Sequence, residues 1–207
     1  MPIPPLHKRI FEISKKYNLG HIGSNITAVD IIDEIYSIKK SNDKFVLSSG
    51  HAGLALYVVL EKYEKLDAEK LYQKHFTHPN RDVMDGIHAS SGSLGCGVTI
   101  ALGMAMANRK NNIYCLMSDG EIFEGSFWEV CNVKHKYCVN NFHLYVNING
   151  FSCIEEISSD YISRKVFCND STVKIKRTSY KDYPFLDGVK AHYYNLTDKD
   201  LQLIKHI

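Results

Sequence analysis

The sequence has no pair of cysteines at C-x-x-C spacing; its six cysteines stand apart, at positions 96, 115, 131, 138, 153 and 168. Neither a zinc knuckle nor a dithiol redox centre is therefore indicated. Scattered thiols of this kind fit a reducing cytoplasm, and most of them are expected to be small buried apolar side chains. No apolar run approaches the about 18 residues that a membrane span needs, so no membrane partner is expected. The start, Met1-Pro2-Ile3-Pro4-Pro5, lacks an apolar stretch and leads straight to Lys8 and Arg9, which is not the pattern of a secretory signal. There is no excess of one charge: 25 basic and 23 acidic side chains leave a net charge of +2. No basic stripe stands out, which argues against nucleic acid. Repeats, low-complexity tracts and Gly/Ser linkers are also missing. What remains is a chain of 207 residues, 44% apolar and 23% charged, suited to one soluble domain over 1–207.

Helix and strand signals alternate along the chain. Apolar spacing predicts helices from Leu6 to about Tyr17 and from Ala28 to Lys39, the second capped by Thr27. Phe45–Ser48 reads as a short buried strand. A helix with few polar positions follows from His51 to Tyr63, and Asp67 is expected to cap another that ends near His75. Gly97–Asn108 is a small-residue helix. Ile113–Met117 and His143–Ile148 read as parallel-type strands, with a helix from Gly125 to Lys136 between them. Val173–Arg177 and Val189–Tyr194 are read as later strands, and Thr197 with Asp200 forms a capping-box pattern before a last helix. This alternation predicts an α/β domain, an open and mostly parallel sheet with helices on both faces. Ligands of such sheets sit at the carboxyl ends of the strands.

The strongest chemical signal lies there. Ser118-Asp119-Gly120-Glu121-Ile122-Phe123-Glu124-Gly125 follows one strand, and Asn147-Ile148-Asn149-Gly150 ends the next, with Asn149 thirty residues after Asp119. Adjacent parallel strands would bring Asp119 and Asn149 together as oxygen ligands for a hard cation such as Mg²⁺ or Ca²⁺. The bland alternative is two polar loop tips that cap their own helices. A Gly-rich loop, Gly92-Ser93-Leu94-Gly95-Cys96-Gly97, allows backbone to approach a flat heterocycle. Its spacing is the reverse of the dinucleotide fingerprint, and no convincing strand precedes it.

These blocks together resemble the N-terminal half of transketolase. An Asp-Gly followed about thirty residues later by Asn is similar to the diphosphate and metal motif of thiamine-diphosphate enzymes, with Ser118 in place of the usual first glycine. Gly20-His21-Ile22-Gly23 resembles the family's G-H-x-G segment, and Ser48-Ser49-Gly50-His51-Ala52 its G-H-A helix start. His78-Pro79-Asn80 resembles the H-P-E/D loop, and Gly92–Gly97 resembles G-S-L-G-Q-G with Cys96 replacing a Gln or His. Ala191-His192-Tyr193-Tyr194 resembles W-H-G.

The resemblance implies the shortened form of a thiamine-diphosphate-binding fold. It also implies a reaction, transfer of a two-carbon ketol unit between sugars or sugar phosphates. In this reading His21, His51, His78 and His192 serve the reacting sugar, histidine being suited to hydroxyl hydrogen bonds and proton transfer near neutral pH. His51, Gly92, Ser93, Leu94, Asp119, Gly120, Glu121 and Asn149 would hold thiamine diphosphate. Asp119, Asn149 and the carbonyl of Phe151 would hold Mg²⁺ or Ca²⁺. Glu124 would face the activating carboxylate of a neighbouring pyrimidine-binding domain. No such domain lies within these 207 residues, so a separate pyrimidine-binding subunit is the expected partner, with self-association of this chain and a heterotetramer as the assembled form. After about residue 151 the family pattern is compressed. The alternatives are a subunit of another thiamine-diphosphate enzyme, of the deoxyxylulose-phosphate-synthase or 2-oxo-acid dehydrogenase type, or a non-catalytic structural partner; the G-H-x-G and S-S-G-H-A blocks favour transketolase.

Overall fold

The computed structural model describes residues 3–152 and 155–205, and the side chains of 168, 169 and 205 fall outside the description. Four strands, β1 (Lys44–Leu47), β2 (Ile113–Ser118), β3 (Phe142–Ile148) and β4 (Lys174–Arg177), form one parallel sheet in the order β1-β2-β3-β4. Strand order equals chain order. Residues Ile113 to Met117 and Leu144 to Ile148 are buried without a break, the run expected of parallel strands covered on both faces.

Eight α-helices surround the sheet among the described residues: α1 (Pro5–Tyr17), α2 (Ile22–Ile38), α3 (Gly53–Glu64), α4 (Ala68–His75), α5 (Cys96–Ala107), α6 (Gly125–Lys136), α7 (Ser159–Asn169) and α8 (Asp198–Lys205). Phe45, Leu47, Tyr114, Leu116 and Tyr145 point to one core, which α1 to α4 and Ile204 of α8 complete. Val46, Cys115, Met117, Leu144 and Val146 point to the other, against α5, α6 and α7. The last helix before β2, β3 and β4 thus lies on the same face each time. That follows from the constant hand of parallel crossovers when the strands step in one direction. The opposite face is covered by what precedes β1, by α3 and α4, and by the chain's last segment.

Two local expectations differ from the structure. Thr27 does not cap α2; it lies inside the helix, and its hydroxyl donates to the Gly23 carbonyl four residues back, at 3.0 Å. The helix starts at Ile22 because Ile22 and Ile26, both buried, already belong to its core face. Val189–Tyr194 is not a strand. Gly188–His192 forms a 3-10 turn laid over the start of α2, where the His192 carbonyl accepts the His21 N–H at 2.9 Å. By contrast Asp67 does cap α4, accepting from the Glu69 and Lys70 amides. Asp200 and Thr197 make the reciprocal bonds of a capping box. Cys115 and Cys131 are buried, whereas Cys96 and Cys138 are exposed free thiols. Cys153 lies outside the described residues. No helix among them is long and apolar enough to cross a membrane.

Candidate active site

Because the strands are parallel and in register, Ser48, Asp119, Asn149 and Thr178 emerge from β1 to β4 at one edge of the sheet. A cavity of about 540 Å³ opens there. His21, His51, His78 and His192 line it together with Gly92, Leu94, Asp119, Gly120, Glu124, Asn149 and Phe151. The expected residues therefore converge from separate stretches spread along most of the chain. Ser93 and Glu121 do not line it: Ser93 is exposed on its loop, and the Glu121 carboxylate is fully buried beneath the floor. Asn147, Phe123 and Glu155 also line the cavity and belong to no recognised motif position. Asn147 was marked only by being polar at the end of the apolar run Phe142–Ile148. A second cavity, of about 560 Å³, opens near the amino end of β3, lined by Lys134, His135, Phe142 and Asp170 among others; it contains none of the motif residues.

The four histidines form one cluster. The His21 ring centroid lies 4.3 Å from that of His192, 5.6 Å from His51 and 6.5 Å from His78. His21 enters α2 in the left-handed region, with φ 56°, a conformation that His tolerates better than most residues. Its Nδ1 is buried and has no hydrogen-bond partner. Burial pushes His21 down to about 4, and any charge on His192 and His78 pushes the same way. His51 is pushed down to about 3, first by burial and then by His21, His192 and His78. Burial also lowers His192. The three perturbed rings are thus neutral at pH 7. Each then offers one N–H donor and one ring-nitrogen acceptor, a set matched to the hydroxyls of a sugar.

Asp119 is 1% exposed. Its Oδ2 accepts from the Asn149 and Gly150 amides at 3.0 and 2.9 Å, and its Oδ1 accepts from the Gly120 amide at 3.0 Å. Burial raises its carboxyl to about 6 despite those three bonds. The Asn149 side-chain oxygen accepts from the Phe151 amide at 2.9 Å. Beside it, Asn147 donates to Thr27 Oγ1 at 3.1 Å and accepts from Thr178 Oγ1 at 2.5 Å, which fixes the end of β3. Among the described lining residues there is no Lys or Arg; the charged ones are Asp119, Glu124 and Glu155. A buried carboxylate with no cationic side chain near it is an incomplete site, and oxygen donors in that setting suit a divalent cation. Glu124, the N-cap residue of α6, is exposed at the mouth, and its side chain makes no cap bond.

An open parallel α/β sheet with acidic oxygens and neutral imidazoles at its carboxyl edge defines a cofactor-binding domain. The chain belongs to the transketolase family: the family description "Transketolase, thiamine diphosphate binding domain" matches residues 9–164. One subunit of the apulose-4-phosphate transketolase of Phocaeicola vulgatus is 32% identical over 162 residues, covering 69% of this chain and 57% of that protein. The 6-deoxy-6-sulfo-D-fructose transketolase subunit SqwG of a Clostridium species is 31% identical over 144 residues, 60% of this chain and 52% of that one. The chain thus spans about half the length of these relatives. The fold matches that of the transketolase from Leishmania mexicana with a TM-score of 0.73 at 17% identity, over 97% of this chain and 40% of that one.

Proposed function

We propose that this chain is the diphosphate-binding subunit of a two-chain, thiamine-diphosphate-dependent transketolase that moves a two-carbon ketol unit from a ketose to an aldose. The observation that carries this reading is the convergence of four histidines and the Asp119–Asn149 pair on one cavity. Family membership and the subunit names of the relatives support it. The residues present fit the cofactor and its metal. Asp119 and Asn149 would hold Mg²⁺ or Ca²⁺ through side-chain oxygens, and Phe151 through its carbonyl. The cation would neutralise a buried carboxylate and bring a diphosphate into a cavity that is otherwise acidic. Gly92 and Leu94 would flank the flat ring; a side chain at Gly92 would sit 3.3 Å from the His78 ring and narrow the space.

When bound, thiamine diphosphate supplies an electron sink for breaking the carbon–carbon bond beside a ketone. The chain's own part is positional and protonic. Neutral His51, His21 and His192 hold the sugar hydroxyls through the ring atoms that face the cavity. Glu124, exposed at the mouth, would face a carboxylate of the pyrimidine-binding partner; two such groups in contact share a proton. With no Lys or Arg among the described lining residues, a phosphate or sulfonate on the sugar would be met by the partner chain. The test is a ketol-transfer assay on this chain with a pyrimidine-domain partner, alongside calorimetry of thiamine diphosphate with Mg²⁺. Turnover and metal-dependent binding are expected from the pair. Absence of cofactor binding in the assembled complex would end this reading.

A further inference from the structure

Glu121 is fully buried and outside the cavity, yet its carboxylate gathers donors from three elements. Oε1 accepts from Ser48 Oγ at 2.5 Å and from the Gly95 amide at 3.0 Å. Oε2 accepts from the Ser118 amide at 2.8 Å. Ser48 Oγ in turn accepts from the Val98 amide at 3.0 Å, in the first turn of α5. One side chain therefore joins the end of β1, the end of β2 and the loop that opens α5. The backbones crowd around the same point. A Cβ on Gly97 would lie 2.5 Å from Ser48 Cα, and one on Gly95, whose φ is 79°, would collide with Ser126 Oγ.

We infer that Glu121 is a positioning residue that ties the Gly92–Gly97 loop to the β2 loop bearing Asp119, so that the two walls of the cavity keep one spacing. The inference rests on the cofactor reading above. In that reading Leu94 and Gly92 stand on one wall and Asp119 on the other, and a single ligand must touch both. Four donors converge on the buried side chain, the Ser118 hydroxyl adding a longer contact to Oε2 at 3.4 Å, so it must accept at both of its oxygens. Glutamine has nearly the same shape but only one acceptor oxygen. Its NH₂ is best placed beside Ser48 Oγ, a hydroxyl that can turn to accept from it, so the Ser118 amide keeps its acceptor while the Gly95 N–H is left facing a donor, and the half of the tie that reaches the Gly92–Gly97 loop is cut. A buried donor left without an acceptor is unfavourable, so the loop on that side opens.

The experiment compares the full chain with its E121Q variant in two ways. Hydrogen exchange should show residues 92–98 exchanging at least about tenfold faster in E121Q, with α3 and β3 unchanged, because only opening of that loop is altered. Calorimetry on the complex with the partner should show thiamine diphosphate weakened about tenfold or more, and inorganic pyrophosphate with Mg²⁺ within about twofold, since pyrophosphate needs only the Asp119 wall. General loosening of the fold would weaken both ligands alike and would overturn the inference, as would unchanged exchange at 92–98. If the unaltered complex binds neither ligand, the cofactor reading fails instead. S48A, which removes one leg of the tie and leaves the carboxylate, serves if E121Q does not fold. It should loosen the same segment and show the same split between the two ligands, and its failure to do so would count equally against the tie.

Discussion

His21 carries two constraints at once, a left-handed backbone and a half-buried ring whose Nδ1 is buried without a hydrogen-bond partner. Alanine there would strain the chain as well as remove the ring, so asparagine, which tolerates that backbone, isolates the ring's contribution. H21N and H51A should each fold and lose about 10²–10⁴ of ketol transfer in the assembled enzyme, the range for a positioned proton relay. Full rates in both would remove them from the reaction. The same rings set an acid response. His51 and His21 are held at about 3 and about 4 in the folded chain, whereas an unfolded histidine protonates at about 6.5. Below about pH 6.5 the unfolded state therefore takes up protons that the folded state refuses, and stability falls until the folded values are reached. Asp119, raised to about 6, acts in the opposite sense in the metal-free chain and offsets part of the loss. Urea midpoints should drop from pH 7 to pH 5 in the parent chain and drop less in H51N. Parallel pH curves would show that His51 is not refusing a proton. D119A should abolish metal-dependent affinity for thiamine diphosphate, and calorimetry showing undiminished binding would take Asp119 out of the metal site.

At the scale of elements, close approach replaces specific side-chain chemistry. The small-residue helix α5 starts against β1 with only the hydrogen of Gly97 between it and Ser48. G97A should cost about 1–3 kcal/mol, the usual penalty of overpacking, read as a lower urea midpoint; equal stability would mean that the backbones part freely. The elements legible in the sequence were those whose burial repeats. Strands β1 to β3 were readable as apolar runs, whereas β4, Lys174–Arg177, holds a single apolar residue. Thr27 misled because a threonine before an apolar stretch has the look of a cap, while its hydroxyl finds a carbonyl within its own helix. Val189–Tyr194 misled because its residue types do not reveal that the His192 carbonyl is taken by the His21 amide at the start of α2 and not by a fifth strand. Of the site, Asp119, Asn149 and the four histidines were marked by motif. Glu121 was expected against the cofactor and lies under the floor, since sequence spacing says nothing of the depth at which a side chain ends.

At the scale of the whole molecule, the mouth of the cavity exposes Phe123, at 58%. Apolar side chains beside a functional opening favour a covering partner. The chain alone should therefore associate with itself and turn over negligibly, and it should gain activity when mixed with a pyrimidine-domain chain, as a heterotetramer with two cofactors. A mass measurement of the mixture together with the assay checks both parts. Strong turnover by this chain alone would show that no second subunit is required.

The turn over α2 has a consequence for the order in which the protein is made. His51 and Asp119 leave the ribosome long before His192, and strands that pair in chain order can begin to assemble behind them. The carbonyl that receives the His21 amide and the ring that lies 4.3 Å from His21 both belong to residue 192. A growing chain can thus possess its sheet while its histidine cluster is still open on one side. All four strands precede that turn, so a product cut short before it would keep the residues of the sheet and lack both α8 and the fourth histidine of the cluster.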